Sequence, residues 1–93
     1  MALNVDEVKK VLAQALGDSA VVEELSLGYK YEMWYGMKRP DIVRATLPNG
    51  VYVMVYSGEH LQIVGKVARY YKMLTDSLTE WERFLVEELS KLA

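Results

Sequence analysis

The stretch YKYEMWYGMKRP, Tyr29 to Pro40, gathers the side chains of this sequence best suited to chemistry at a surface. Every second residue from Tyr29 to Met37 is a Tyr or a Met, and between them stand Lys30, Glu32, Trp34, Gly36 and Lys38. A period of two is the signature of a half-buried strand. Turning Lys30 and Glu32 inward would bury unpaired charge, so the Tyr/Met row is expected to face the core and Trp34 to face outward beside Lys30. An outward indole among cations can stack unpaired bases, each worth about 1–3 kcal/mol, while the cations follow phosphates.

Other reaction chemistry has little to stand on. The chain has no cysteine and one histidine, His60, which excludes disulfides, thiolate metal sites and a cysteine nucleophile. The paired carboxylates Glu80 and Glu82, or Glu87 and Glu88, have no serine, histidine or metal-ligand spacing beside them, and a solvated helix face is the expected role. No phosphate-cradling glycine loop is present. The expectation is a protein with no catalytic residue, no metal and no cofactor.

Charge is segregated along the chain. The total is −2, yet Gly28 to Lys72 holds seven positive and three negative residues, while the flanks hold four positive and ten negative. A basic middle between acidic ends lets one face meet a polyanion although the whole chain is acidic. Ninety-three residues make one domain, residues 1–93, with ordinary hydrophobic content (52%) and charge (26%). No apolar run approaches the roughly 20 residues of a membrane span, and MALNVDEVKK lacks the layout of a signal peptide, so a cytoplasmic protein without membrane contact is expected. Few Asn and Gln against abundant Glu, Lys, Arg and Val suggest a thermophile.

The elements that must position these residues follow from caps and periods. Asn4 and Glu7 form a capping box for a first helix from about Val5 to Leu16, closed by Gly17, with Val5, Val8, Leu12, Ala15 and Leu16 as its stripe. DSAVVEELSLG fits either a bent strand leading into Tyr29 or a short helical turn. DIVRATL and VYVMVYS flank Pro48-Asn49-Gly50, a hairpin signal. Pairing across that turn puts Val43, Ala45 and Leu47 with Val51, Val53 and Val55 on one face. Ile42, Arg44 and Thr46 share the other with Tyr52, Met54 and Tyr56. The register of Tyr29–Met37 against this hairpin stays open by one residue, because GMKRP can shift it.

In SGEHLQIVGKVARYYKMLTD the residues Ile63, Val67, Tyr70, Tyr71 and Leu74 fit a helical stripe, and a helix from Lys66 to Leu74 is expected, while LQIV fits a fourth strand equally well. The last helix is assigned a Thr79–Glu82 capping box and an apolar side of Leu78, Trp81, Leu85, Leu89 and Leu92. The fold class is therefore α+β: an antiparallel sheet of three or four strands packed with an N-terminal helix and one or two C-terminal helices.

On this frame the nucleic-acid-binding residues are Lys30, Trp34, Lys38, Arg39, Arg44, Tyr52, Tyr56, Lys66 and Arg69, and the partner is single-stranded DNA or RNA. The alternative is a homo-oligomeric protein-interaction module with no nucleic-acid role, since an apolar outer sheet face is often covered by a partner. In either case a homodimer is expected through Trp81, Leu85, Leu89 and Leu92.

Three resemblances bear on these expectations. Gly50-Val51-Tyr52 with Ile63-Val64-Gly65-Lys66 resembles the paired motifs of the GIY-YIG nucleases, but Ile63 replaces the second tyrosine and Met73 stands where their helix arginine is expected. The αβββα order resembles double-stranded-RNA-binding domains, whose lysine-rich second-helix start is missing from GEHLQIVGK. The helix–sheet–helix order with KYEMWYGMKRP as an aromatic-basic strand is similar to the ThermoDBP-related single-stranded-DNA-binding proteins of thermophilic archaea. That similarity implies a cleft between sheet and helices that holds single strands without an OB-fold.

Overall fold

The computed structural model describes residues 2–25 and 41–92, so the row from Tyr29 to Met37, with Lys30, Trp34, Lys38 and Arg39, lies outside the described residues. Helix α1 is Val5–Leu16 and opens on the expected cap: Asn4 Oδ1 accepts from the Glu7 amide at 2.8 Å, and the Asn4 amide donates to Glu7 Oε1 at 3.1 Å. The reciprocal pair satisfies two amides that the first turn leaves without helical partners. Gly17, at φ +79°, ends the helix in a conformation that an L side chain resists.

Five strands follow among the described residues: β1 Val21–Leu25, β2 Ile42–Thr46, β3 Tyr52–Tyr56, β4 His60–Val64 and β5 Ala68–Lys72. Each pairs antiparallel with the next, in the order β1-β2-β3-β4-β5. DSAVVEELSLG thus contains a strand. At the Pro48-Asn49-Gly50 turn the Val51 amide donates to Asn49 Oδ1 at 3.0 Å, and Gly50 takes φ +89°. The β2–β3 register agrees with expectation, pairing Val43 with Val55 and Ala45 with Val53.

The sheet has more strands than expected, and the reason lies after Gly65. The segment Lys66 to Leu74 is not a helix. Ala68 to Lys72 pairs with β4 along its whole length, Gln62 opposite Tyr70 and Leu61 opposite Tyr71. The apparent helical stripe does not mark a core, because Val67, Tyr70 and Leu74 are 67%, 74% and 87% exposed. The tertiary pairing with β4, joined by two tyrosines suited to a pleated surface, prevails over the 3.6-residue pattern.

Helix α2 is Leu78–Ser90. Its cap is Ser77, not Thr79: Ser77 Oγ accepts from the Glu80 amide at 3.4 Å, and Thr79 lies inside the first turn. Both helices of the described residues cover one sheet face, and α1 also packs on α2. The core joins Val8, Val11 and Leu12 of α1, Trp81 and Leu85 of α2, and Val43, Ala45, Val53, Val55, Leu61 and Ile63 of the sheet. Val11, absent from the expected stripe, is fully buried.

Burial also bears on the residues of the expected oligomer interface. Trp81 and Leu85 have no exposed surface left for another chain, and Leu89 and Leu92 pack partly against the same core. Trp81 further donates its indole N–H to the Thr75 carbonyl at 3.0 Å, which satisfies its polar end inside the fold. The segment just before α1 is pinned as well. The Leu3 amide donates to the Gly58 carbonyl at 3.0 Å in the β3–β4 turn, where Ser57 and Gly58 both take positive φ.

Candidate nucleic-acid interface

Residues two apart on a strand share a face. Because Val43, Ala45, Val53, Val55, Leu61 and Ile63 meet the helices, the opposite face carries Arg44 and Thr46 of β2, Tyr52, Met54 and Tyr56 of β3, Gln62 and Val64 of β4, and Tyr70 and Lys72 of β5. Gln62 organises its middle. The Tyr56 hydroxyl donates to Gln62 Oε1 at 2.9 Å, and Gln62 Nε2 donates to the Tyr70 hydroxyl oxygen at 2.9 Å. One amide thus links tyrosines on strands that do not touch. Partial burial, with Tyr70 and Tyr52 nearby, raises the Tyr56 pKa above the usual tyrosine value, so its hydroxyl stays a proton donor at any ordinary pH.

Arg44 lies on this face with Tyr52 and Tyr56, as expected, but it is engaged. Glu23 stands directly across from it in the β1–β2 register, and one Glu23 carboxylate oxygen accepts from both Arg44 Nη2 at 2.6 Å and Arg44 Nε at 3.2 Å. The pair is neutral, so Arg44 offers a phosphate little net attraction while Glu23 holds it.

The remaining expected residues separate. Lys66 is exposed in the β4–β5 turn. Arg69 pairs in register with Ile63, which places it on the helix side of β5, opposite to Arg44 and the tyrosines. Tyr70 and Lys72 take its place on the outer face. The sequence signal for them was the strand preference of the adjacent tyrosines in ARYYK, which a helical reading hides. Lys66, Arg69 and Lys72 form no ion pair with any other described residue. The outer rim at β5 is therefore the cationic part of this face.

The rest of the described surface offers less chemistry. No group of three His, Asp or Glu side chains among the described residues converges as a metal site. His60 Nε2, at the exposed start of β4, lies 3.4 Å from Glu59 Oε1. A hollow along α2 is lined, among the described residues, by Thr79, Glu82, Arg83, Val86 and Glu87. Tyr52 and Gly65 lie on the β3 and β4 side of the sheet, but a strand rather than a helix follows Gly65, which departs from the GIY-YIG layout. None of the helices among the described residues is long and apolar enough to cross a membrane. The fold and this surface define a class, an α+β domain with one helix-covered and one tyrosine-bearing sheet face. No protein family, no curated protein and no solved structure matches the chain.

Proposed function

We propose that this chain is a non-enzymatic nucleic-acid-binding module that holds single-stranded DNA or RNA on its outer sheet face. The observation that carries the proposal is the grouping of Tyr52, Tyr56 and Tyr70 on one face, with Lys72 and Lys66 at its rim. Phenol rings stack on any unpaired base, and Gln62 keeps two of them in fixed positions. In a duplex the bases are stacked on one another and their faces are closed to such a platform, so single strands are preferred. Trp34, with Lys30, Lys38 and Arg39, extends the same aromatic and basic chemistry in the sequence. The cytoplasm of a thermophilic archaeon is the setting that the similarity to the ThermoDBP-related proteins and the composition suggest.

The deciding measurement is a fluorescence titration with a short mixed-sequence oligonucleotide at low salt, beside the matching duplex. The proposal requires tighter binding of the single strand, weak sequence preference, and affinity that falls steeply as salt rises. Equal affinity for duplex and single strand, or none for either, leaves the protein-interaction reading in its place.

A further inference from the structure

Strand β5 ends the sheet of the described residues, and its hydrogen-bond pattern shows which of its backbone groups have no partner among them. The Met73 amide donates to the Glu59 carbonyl at 2.8 Å, and the Gly65 amide to the Val67 carbonyl at 3.4 Å, at the two ends of the β4–β5 ladder. Antiparallel ladders alternate with a period of two, so between those ends Arg69 and Tyr71 point their N–H and C=O groups at β4. Ala68, Tyr70 and Lys72 point theirs away from it.

Three of the five most exposed large apolar side chains among the described residues, Val67, Tyr70 and Leu74, lie on or beside this strand. An edge with open backbone groups and exposed apolar side chains is a template for another strand.

We propose that β5 pairs antiparallel with β5 of a second copy about a two-fold axis at Tyr70, joining the two sheets into one. This rests on the β5 edge alone and not on the nucleic-acid reading. In this register Tyr70 faces Tyr70 of the second copy, and Ala68 faces Lys72 in both directions. All the outward N–H and C=O groups of the strand are then satisfied, because each facing pair exchanges two hydrogen bonds.

Charge favours the same register. The two lysines at position 72 each meet an alanine, not one another. Arg69 meets Tyr71 of the second copy, whose hydroxyl donates to Glu88 Oε2 at 2.9 Å, so each guanidinium approaches a tyrosine ring and the carboxylate behind it. Glu88 already feels its own Arg69 as a favourable charge. An isologous contact of this kind closes at two copies, because β5 is used up on both.

The test is sedimentation equilibrium of the full chain, free of nucleic acid, over a wide concentration range. The wild type is expected to be a dimer that dissociates on dilution and forms nothing larger. Tyr70→Pro removes an outward N–H and leaves the β4 ladder its donors, and it raises the dissociation constant roughly a hundredfold. Far-UV circular dichroism shows whether that variant keeps its fold.

Arg69→Glu, an exposed change independent of backbone effects, sets carboxylate against carboxylate and also weakens the dimer, and adding Glu88→Lys restores part of the loss. A wild type that is monomeric throughout overturns the proposal. So does a dimer whose dissociation constant Arg69→Glu leaves unchanged.

Discussion

Tyr71 of β5 donates its hydroxyl proton to Glu88 of α2 across 2.9 Å, and in doing so ties the last strand to the last helix. Its ring meets the Phe84 ring edge to face at 4.9 Å between centroids. Lys91 Nζ completes the group, 3.0 Å from Glu88 Oε1. A strand held by one neighbour on its ladder side is thus fastened on its helix side by a carboxylate that two donors share.

The first consequence concerns acid. The hydrogen bond from Lys91, then that from Tyr71, holds the Glu88 carboxyl below its ordinary value of 4.5. A group depressed in the folded state contributes stability above its unfolded pKa and loses it as pH falls through the folded pKa. Glu88→Gln therefore lowers the melting temperature at neutral pH, and its deficit against wild type shrinks as pH drops below about 4.5. Thermal melts at a series of pH values check this. A deficit that grows in acid contradicts it.

Gly58 is the second. It sits at φ +67°, and a Cβ there would lie 1.8 Å from the Leu3 carbonyl oxygen. The contact is with backbone, which cannot swing aside as a side chain can. Gly58→Ala is expected to destabilise by about 3 kcal/mol, at the upper end for one substitution, because it adds positive-φ strain to a broken Leu3–Gly58 pairing. Urea unfolding measures it. Gly50→Ala is a control, since that glycine shares positive φ but has open space around it.

Trp81 carries the third. It is the largest fully buried side chain among the described residues, at the junction of α2 with the sheet and α1. Trp81→Ala should cost about 3–5 kcal/mol, the range for emptying a large aromatic from a packed core. A change within experimental error on denaturant unfolding would mean that the surroundings collapse into the space.

What the sequence made legible follows the range of the interactions involved. The α1 capping box and the Pro48-Asn49-Gly50 turn are local, set by residues a few positions apart, and both stand where the sequence places them. The β2–β3 faces follow from that turn. The β5 strand was hidden because Val67, Tyr70 and Leu74 satisfy a helical spacing by coincidence, and the deciding partner, β4, is a tertiary fact. Ser77 competes with Thr79 as a cap, and both precede a Glu at a workable distance. For the site, the shared face of Arg44, Tyr52 and Tyr56 was legible by alternation. The pairing of Arg44 with Glu23 was not, because it depends on the β1–β2 register across a long connection.

That pairing yields the last prediction, on nucleic-acid binding itself. With Glu23 in place, removing Arg44 deletes one cation and frees one anion, so Arg44→Ala should weaken oligonucleotide binding by leaving Glu23 to repel phosphate. Glu23→Gln should do the opposite. It releases Arg44 to the phosphates, strengthens binding at low salt, and steepens the dependence of log affinity on log salt by about 0.7, the value for one more neutralised phosphate on a single strand. Tyr70→Ala and Trp34→Ala should each weaken binding by about 1–3 kcal/mol with little change in that slope, because stacking releases no counterions. Tryptophan fluorescence serves for the Tyr70 and Glu23 variants, and anisotropy of a labelled oligonucleotide for Trp34→Ala. If Glu23→Gln leaves both affinity and slope at wild-type values, the outer sheet face is not where the phosphates run.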